Sequence, residues 1–122
     1  MGRYRLPAPV EARIRALLDA SAEAFGPAAR DRYAALIVRA MQDVADDPGR
    51  PGATAEPDID PTARFYHLRL SRDRVGHPPG RVRTPRHILV YEVAADGVVD
   101  ILGLIPDMIP AGIALPRFVP GR

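Results

Sequence analysis

The residues best suited to chemistry are concentrated in the middle of the chain, between residues 64 and 87. This segment carries seven arginines, all three histidines and one acid, Asp73, so its formal charge is +6. The residues before it carry eight arginines and ten acids, and those after it carry two arginines and four acids. Such a cationic stretch favours contact with an acidic partner, either a nucleic acid or an acidic protein segment. The alternative is an arginine-rich loop that is simply solvated.

Several kinds of chemistry are excluded by composition. The chain has no cysteine, which excludes disulfides, thiol catalysis, iron–sulfur clusters and cysteine-based zinc sites. All 17 basic residues are arginine, so no lysine can serve as a Schiff base or general base. The three histidines, His67, His77 and His87, are scattered. The sequence therefore predicts neither a metal site nor a cofactor.

Length and hydropathy indicate a small globular protein. A chain of 122 residues with 47% apolar and 26% charged residues is expected to form one domain over residues 1–122. The basic start, MGRYRLP, is followed by Glu11, Arg13 and Arg15 instead of an apolar run, which is unlike a signal peptide. No apolar stretch approaches the 18 or so residues needed to cross a bilayer. We expect a cytoplasmic protein without a membrane partner.

Two amphipathic helices are predicted in the first half of the chain. Helical spacing places one apolar set on one face of the first helix, comprising Ile14, Leu17, Leu18, Ala22 and Phe25. A second set follows the same spacing, comprising Tyr33, Leu36, Ile37, Ala40, Met41 and Val44. The helical acids, such as Asp19, Glu23, Asp43 and Asp46, are expected on solvated faces. Gly26-Pro27 ends one helix and begins the next, so the pair should form a helical hairpin.

Strands are predicted on either side of this hairpin. Tyr4-Arg5-Leu6 indicates a short edge strand, and residues 47–61 an exposed loop. Alternation at 65–70 predicts a half-buried strand, followed by a loop at 71–85. Residues 87–93 and 98–105 predict an antiparallel hairpin, with Asp96-Gly97 in a type I′ turn and the second strand buried on both faces. The result is an α+β fold with the order β-αα-β-β-β.

The order of these motifs resembles the RelE/ParE superfamily of small bacterial toxins, and in particular its ParE branch of plasmid stabilisation proteins. The resemblance covers nearly the whole chain. It includes YRL at 4–6, DPGRPG at 47–52, RHILVY at 86–91, DGVVDIL at 96–102 and the pair Asp107-Met108. It implies a strand and a helical hairpin packed on a small antiparallel sheet, in the toxin of a type II toxin-antitoxin module.

Two positions depart from the family pattern at the end of the last strand. Gly103 stands where the family usually has an arginine, and Pro106 stands where it usually has a histidine. If those side chains contribute to toxicity, the resemblance implies a toxin that is weakened, inactive or redirected. An inert member of the fold is therefore one alternative.

The resemblance to ParE implies a toxin that poisons DNA gyrase by binding and that a cognate, ParD-like antitoxin neutralises in a hetero-oligomer. The antitoxin is expected to lay an amphipathic segment over the groove between hairpin and sheet, with acids meeting arginines. The residues that we nominate for target binding are Arg69, Arg86, His87 and Met108. Direct contact with nucleic acid is left open.

The second alternative is an endoribonuclease resembling RelE, which cuts mRNA on the ribosome. Such a reaction needs a base, a cationic group for the phosphorane and an acid. The resemblance makes Arg69, Arg86, His87 and Tyr91 the catalytic candidates. Each candidate has a purely structural interpretation: His87 at the rim of the sheet, Tyr91 in the core, and Met108 filling a gap. Arg72, Arg74, Arg81 and Arg83 are most simply solvated in their loop.

Overall fold

The computed structural model describes residues 2–108, in which a helical hairpin packs on one face of a five-stranded sheet. The helices are α1 (Ala8–Phe25) and α2 (Pro27–Asp46), and the strands are β1 (Tyr4–Arg5), β2 (Thr54–Ala55), β3 (Arg64–His67), β4 (His87–Val93) and β5 (Val99–Pro106). Their order across the sheet is β1-β5-β4-β3-β2. β1 runs parallel to β5, and the other neighbours are antiparallel. The predicted α+β class is confirmed, and β2 is an additional short edge strand.

The helical hairpin forms as its sequence predicts. Gly26 has a φ of 91°, which a residue with a side chain rarely adopts, and Pro27 begins α2 directly after it. The predicted apolar face of α2 is buried from Leu36 to Val44. One residue of the α1 face was wrongly placed in the core, because Phe25 is 79% exposed. Phe25 is the last residue of α1 and lies outside the core that contains Ile14 and Leu18.

The sheet buries apolar residues on both of its faces. Leu89 and Tyr91 of β4 belong to the core that includes the helices, whereas Val90 belongs to a smaller cluster with Leu102 and Ile105 of β5. Pairing slips by one residue between Val90 and Tyr91, which leaves a β-bulge in β5. The extra residue shifts the alternation of side chains. The prediction that β5 is buried on both faces is confirmed.

The turn between β4 and β5 differs from the type I′ turn that Asp96-Gly97 predicted. Gly97 has a φ of 83°, but no residue other than glycine has a positive φ within residues 2–108. The Gly97 amide donates to the Ala94 carbonyl at 2.9 Å, and the Ala94 amide donates to the Val98 carbonyl at 2.9 Å. This pattern is typical of a three-residue hairpin loop that closes with a glycine in the left-handed region. The hairpin itself is as predicted.

The strand predicted at 65–70 ends earlier than expected, at His67. A 3₁₀ helix, Leu68–Arg74, follows it, and the His67 side chain caps this helix by accepting from the Arg69 amide. Leu68 and Ser71 are both buried, at the three-residue spacing of such a helix. Because Tyr66, Leu68 and Leu70 also fit a two-residue alternation, the sequence pattern matched a longer strand equally well.

Candidate functional site

Three of the nominated residues meet where β4 begins and β5 ends. The Asp107 amide donates to the Arg86 carbonyl at 3.0 Å, which extends the pairing of these strands by one bond. The Arg86 guanidinium lies 3.2 Å from the Met108 sulfur and 3.4 Å from an Asp107 carboxylate oxygen. His87 stands directly opposite Pro106 in the ladder. Arg86, His87 and Met108 therefore share one end of the sheet, which we call the strand-end cluster together with Tyr33, His67 and Asp107.

His87 is held in its neutral form by its surroundings. Its Nδ1 atom lies 2.5 Å from the Tyr33 hydroxyl, and that hydroxyl also accepts a bond of 3.2 Å from the Arg86 amide. The hydroxyl can therefore donate its proton to Nδ1. Burial lowers the pKa of His87 below its usual value, although the Asp107 charge opposes the shift, and burial likewise raises the pKa of Tyr33.

A second histidine of the cluster comes from β3. His67 lies 3.0 Å from an Asp107 carboxylate oxygen through Nε2, and its Nδ1 accepts from the Arg69 amide at 3.0 Å. Since Nδ1 is an acceptor, Nε2 carries the proton that points to Asp107. The His67 bond and the Arg86 charge lower the pKa of Asp107. Arg69 is thereby placed next to the cluster through its backbone, with an exposed side chain.

Tyr91 lies apart from the other nominated residues. Its side chain is fully buried, and its hydroxyl donates to the Pro48 carbonyl at 2.5 Å. Burial raises the pKa of Tyr91 to about 12. It sits four residues along β4 from His87, on the side of the core. Tyr91 therefore lies in the core, as its purely structural interpretation predicted.

The two departures from the family pattern occupy different parts of β5. Gly103 is paired with Val90 in the middle of the sheet and is buried. Pro106 is exposed and pairs with His87 at the strand end. Pro106 therefore stands beside His87, the first residue of β4, which Arg86 directly precedes.

An open groove of about 520 Å³ lies beside the strand-end cluster, between the hairpin and the start of β4. Its apolar lining includes Leu17, Phe25 and Val82, and Tyr33 and His87 also line it. Arg32, Arg83 and Arg86 also line it. The groove is thus an apolar surface with a cationic border.

One of the acids expected on a solvated helix face is instead buried. Asp43 has 1% of its surface exposed and accepts hydrogen bonds from Arg39, Arg74 and Ser71. Ser71 in turn lies 2.8 Å from the Tyr66 hydroxyl. Arg74, expected to be solvated in its loop, is therefore bound to α2. We call these residues the Asp43 network.

Sequence reasoning missed three residues of the strand-end cluster as functional candidates. Tyr33 was read only as part of a helical core face, His67 as the outward side of a strand, and Asp107 as part of a motif. Their meeting depends on contacts between residues 40 to 54 positions apart in the chain. Only the concentration of histidines in residues 64–87 pointed towards it.

Within residues 2–108, no group of three or more histidine, aspartate or glutamate side chains is arranged to hold a metal ion. In this part of the chain, no helix is both long enough and apolar enough to span a membrane.

Comparison with known protein families identifies the fold. The sequence model of one family, described as the ParE toxin of the type II toxin-antitoxin system, parDE, matches residues 4–107. The chain therefore belongs to the ParE toxin family, as the sequence motifs indicated. No curated protein matches the chain well enough to count as a relative.

Proposed function

We propose that the chain is a toxin that binds and poisons DNA gyrase and that a cognate antitoxin neutralises by filling the apolar groove. Membership of the ParE toxin family supports a toxin of a type II module with an antitoxin partner. The observation that carries the proposal is the open apolar groove between hairpin and sheet, bordered by arginines.

The groove has the chemistry that an amphipathic acidic segment recognises. Phe25, Leu17 and Val82 offer apolar contacts, and the 79% exposure of Phe25 is unusual for a large aromatic side chain. Burying a side chain of that size stabilises a complex by about 2 kcal/mol. Arg32 and Arg83 at the border then favour acids on the flanks of the bound segment.

The strand-end cluster is the surface that we assign to the gyrase target. Arg86 and Met108 are exposed there, and Met108 has 72% of its surface accessible. Arginine and methionine are both enriched in protein interfaces. Arg69 is exposed next to the cluster, whereas His87 is half-buried behind Arg86. A binding toxin needs such a surface and no catalytic set.

The antitoxin half of the proposal is tested by changing Phe25. Because Phe25 is exposed, Phe25→Ser should leave the thermal melt nearly unchanged but weaken antitoxin binding by about tenfold or more, as loss of a buried aromatic anchor would. Calorimetric titration with the antitoxin measures the effect. Val38→Ser, which removes an exposed apolar residue of α2 outside the groove, is the matched control. Equal affinities for all three chains would contradict the groove as the docking site.

The target half is tested by induced expression in bacteria and by gyrase assays. We expect filamentation and loss of colonies, reversed by the antitoxin, and accumulation of gyrase-cleaved DNA with the purified chain. Arg86→Ala should reduce both effects in part, as expected for one side chain in a broad interface, and Arg15→Ala, on the exposed side of α1, should change neither. Growth arrest without filaments or cleaved DNA would contradict gyrase as the target.

The second candidate function, an endoribonuclease, is favoured by the geometry of the strand-end cluster. His87, hydrogen-bonded to Tyr33, and His67, hydrogen-bonded to Asp107, could exchange protons beside the Arg86 cation. An enzyme of this kind should lose nearly all cleavage of ribosome-bound mRNA when His87 or Arg86 is replaced. Primer extension on mRNA from induced cells distinguishes it from the binding toxin, whose mRNA should remain intact.

A further inference from the structure

A second hollow, separate in chemistry from the apolar groove, lies between α2 and the loop that precedes β4. It has a volume of about 750 Å³, and its walls include Arg32, Arg81, Arg83 and His77. No acid lines it. We call it the arginine hollow. Among the described residues, its apolar side chains are Val75 and Pro79, whereas the neighbouring groove is mainly apolar.

Two of the three guanidinium groups in the arginine hollow are not used by the fold. Within residues 2–108, neither Arg32 nor Arg83 forms an ion pair or donates a side-chain hydrogen bond. The third, Arg81, is held by Asp73 at 2.6 Å, which orients it from the rim. Guanidinium groups without an internal partner keep their N–H donors for a bound anion, and charge-assisted hydrogen bonds to that anion can offset the side-chain entropy lost on binding.

Two hydrogen bonds hold the loop that carries Arg81 and Arg83. The Arg83 carbonyl accepts a bond of 2.8 Å from the Arg72 guanidinium, which ties the end of the loop to the 3₁₀ helix. Gly80, with a φ of 94°, turns the chain just before Arg81, and its amide donates to the Gly76 carbonyl at 3.1 Å. Arg81 and Arg83 of this loop line the same hollow as Arg32 of α2.

We propose that the arginine hollow binds phosphate groups of a nucleic-acid backbone. Arginine is suited to phosphate because its planar guanidinium donates paired hydrogen bonds. An acidic peptide would need apolar anchors to reach useful affinity, and these are found in the groove, not in the hollow. A phosphate backbone needs charge alone, without apolar anchors. Because Arg32 and Arg83 line both cavities, an antitoxin seated in the groove would compete with the nucleic acid.

The test is binding of a fluorescein-labelled 20-base-pair DNA duplex of mixed sequence to the purified 122-residue chain, followed by anisotropy from 50 to 200 mM salt. Three phosphate contacts predict a slope of log K against log salt of about −2.7. The double variant Arg32→Gln/Arg83→Gln should weaken binding at low salt by about tenfold or more and flatten the slope by about 2.

The matched control is the double variant Arg3→Gln/Arg15→Gln, which removes the same charge from positions that do not line the hollow. It should bind DNA within about twofold of the unchanged chain. Equal losses in both double variants would overturn the proposal, because binding would then follow net charge alone. Displacement of the duplex by deca-glutamate at equal concentration of charge would also overturn it and would identify an acidic peptide as the occupant. The measurement contains no gyrase, so its outcome is independent of the proposed target.

Discussion

Two groups of arginines in this molecule differ in what their charge is used for. In the Asp43 network, Arg39 and Arg74 donate to one carboxylate that is almost fully buried. In the arginine hollow, Arg32 and Arg83 have no such carboxylate within residues 2–108. The first group binds the 3₁₀ helix to α2, and the second leaves positive charge for a partner. Both groups draw on the same basic stretch, so a charge count by segment could not separate them.

The difference teaches that a cationic segment is only a candidate surface until its internal partners are known. Arg74 and Arg83 lie nine positions apart in the chain, and both were expected to be solvated. The acid that distinguishes them, Asp43, lies on α2, 31 residues before Arg74. When the arginines already paired within the fold are left out, the basic surface that remains is smaller and more specific.

The largest expected effect comes from removing the acid of the Asp43 network. Asp43→Asn should lower the free energy of unfolding by about 3 kcal/mol or more, because it leaves arginine charges beside a buried position without their counter-charge. Denaturant unfolding measures the change. Asp31→Asn, an exposed acid on the same helix, is the control and should change the stability by less than about 0.5 kcal/mol. A small effect at Asp43 would remove the distinction between the two groups of arginines.

The next effect is expected at Ser71, which joins Asp43 to the core. Its hydroxyl donates to Asp43 at 2.6 Å and lies 2.8 Å from the fully buried Tyr66 hydroxyl. Ser71→Ala should cost about 1 to 3 kcal/mol, since it leaves the Tyr66 hydroxyl without this partner. In a double-mutant cycle, Ser71→Ala should lower the free energy of unfolding by less in the Tyr66→Phe background, because no Tyr66 hydroxyl is then left unpaired. Additive losses would show that the two hydroxyls are not coupled.

A smaller, pH-dependent effect is expected at His87, which is half-buried in the strand-end cluster. Its pKa is lowered in the folded protein, so the unfolded chain binds the proton more readily below pH of about 6.5. Stability should therefore decline as the pH falls through that value towards the folded pKa. The His87 resonance should titrate below pH 6.5, and in His87→Asn this part of the decline should disappear. A midpoint above 6.5 would contradict the neutral, Tyr33-bonded histidine.

The smallest effect is expected where the fold does not use the charge. Arg32→Gln/Arg83→Gln should change the free energy of unfolding by less than about 0.5 kcal/mol, because neither guanidinium has an internal partner within the described residues. The same denaturant unfolding applies. A loss comparable with that of Asp43→Asn would show that these arginines also hold the fold together.

Local patterns predicted the parts of the fold that depend on neighbours in the chain. The helical hairpin follows from its apolar spacing and from Gly26-Pro27, and the β4–β5 hairpin follows from Asp96-Gly97. The 3₁₀ helix could not be predicted in this way, because the alternating residues Tyr66, Leu68 and Leu70 fit a strand equally well. The burial of Asp43 and the grouping of Tyr33 with His87 depend on contacts across the fold. No local pattern records such contacts, so half of the strand-end cluster was found only in the structure.

The pairing of β1 with β5 sets the order in which the sheet can be completed. Tyr4 pairs with Val99 and Arg5 with Asp100. β1, which is synthesised first, can therefore pair only after β5 has been synthesised. β5 also lies between β1 and β4, and contacts at such sequence separations are slow to form. A chain still emerging from the ribosome can form the helical hairpin, but it cannot close the sheet before nearly all of residues 4–107 are made. Completion of the sheet therefore waits for the synthesis of β5, which gives a partner already present a period in which to meet the chain before the sheet is complete.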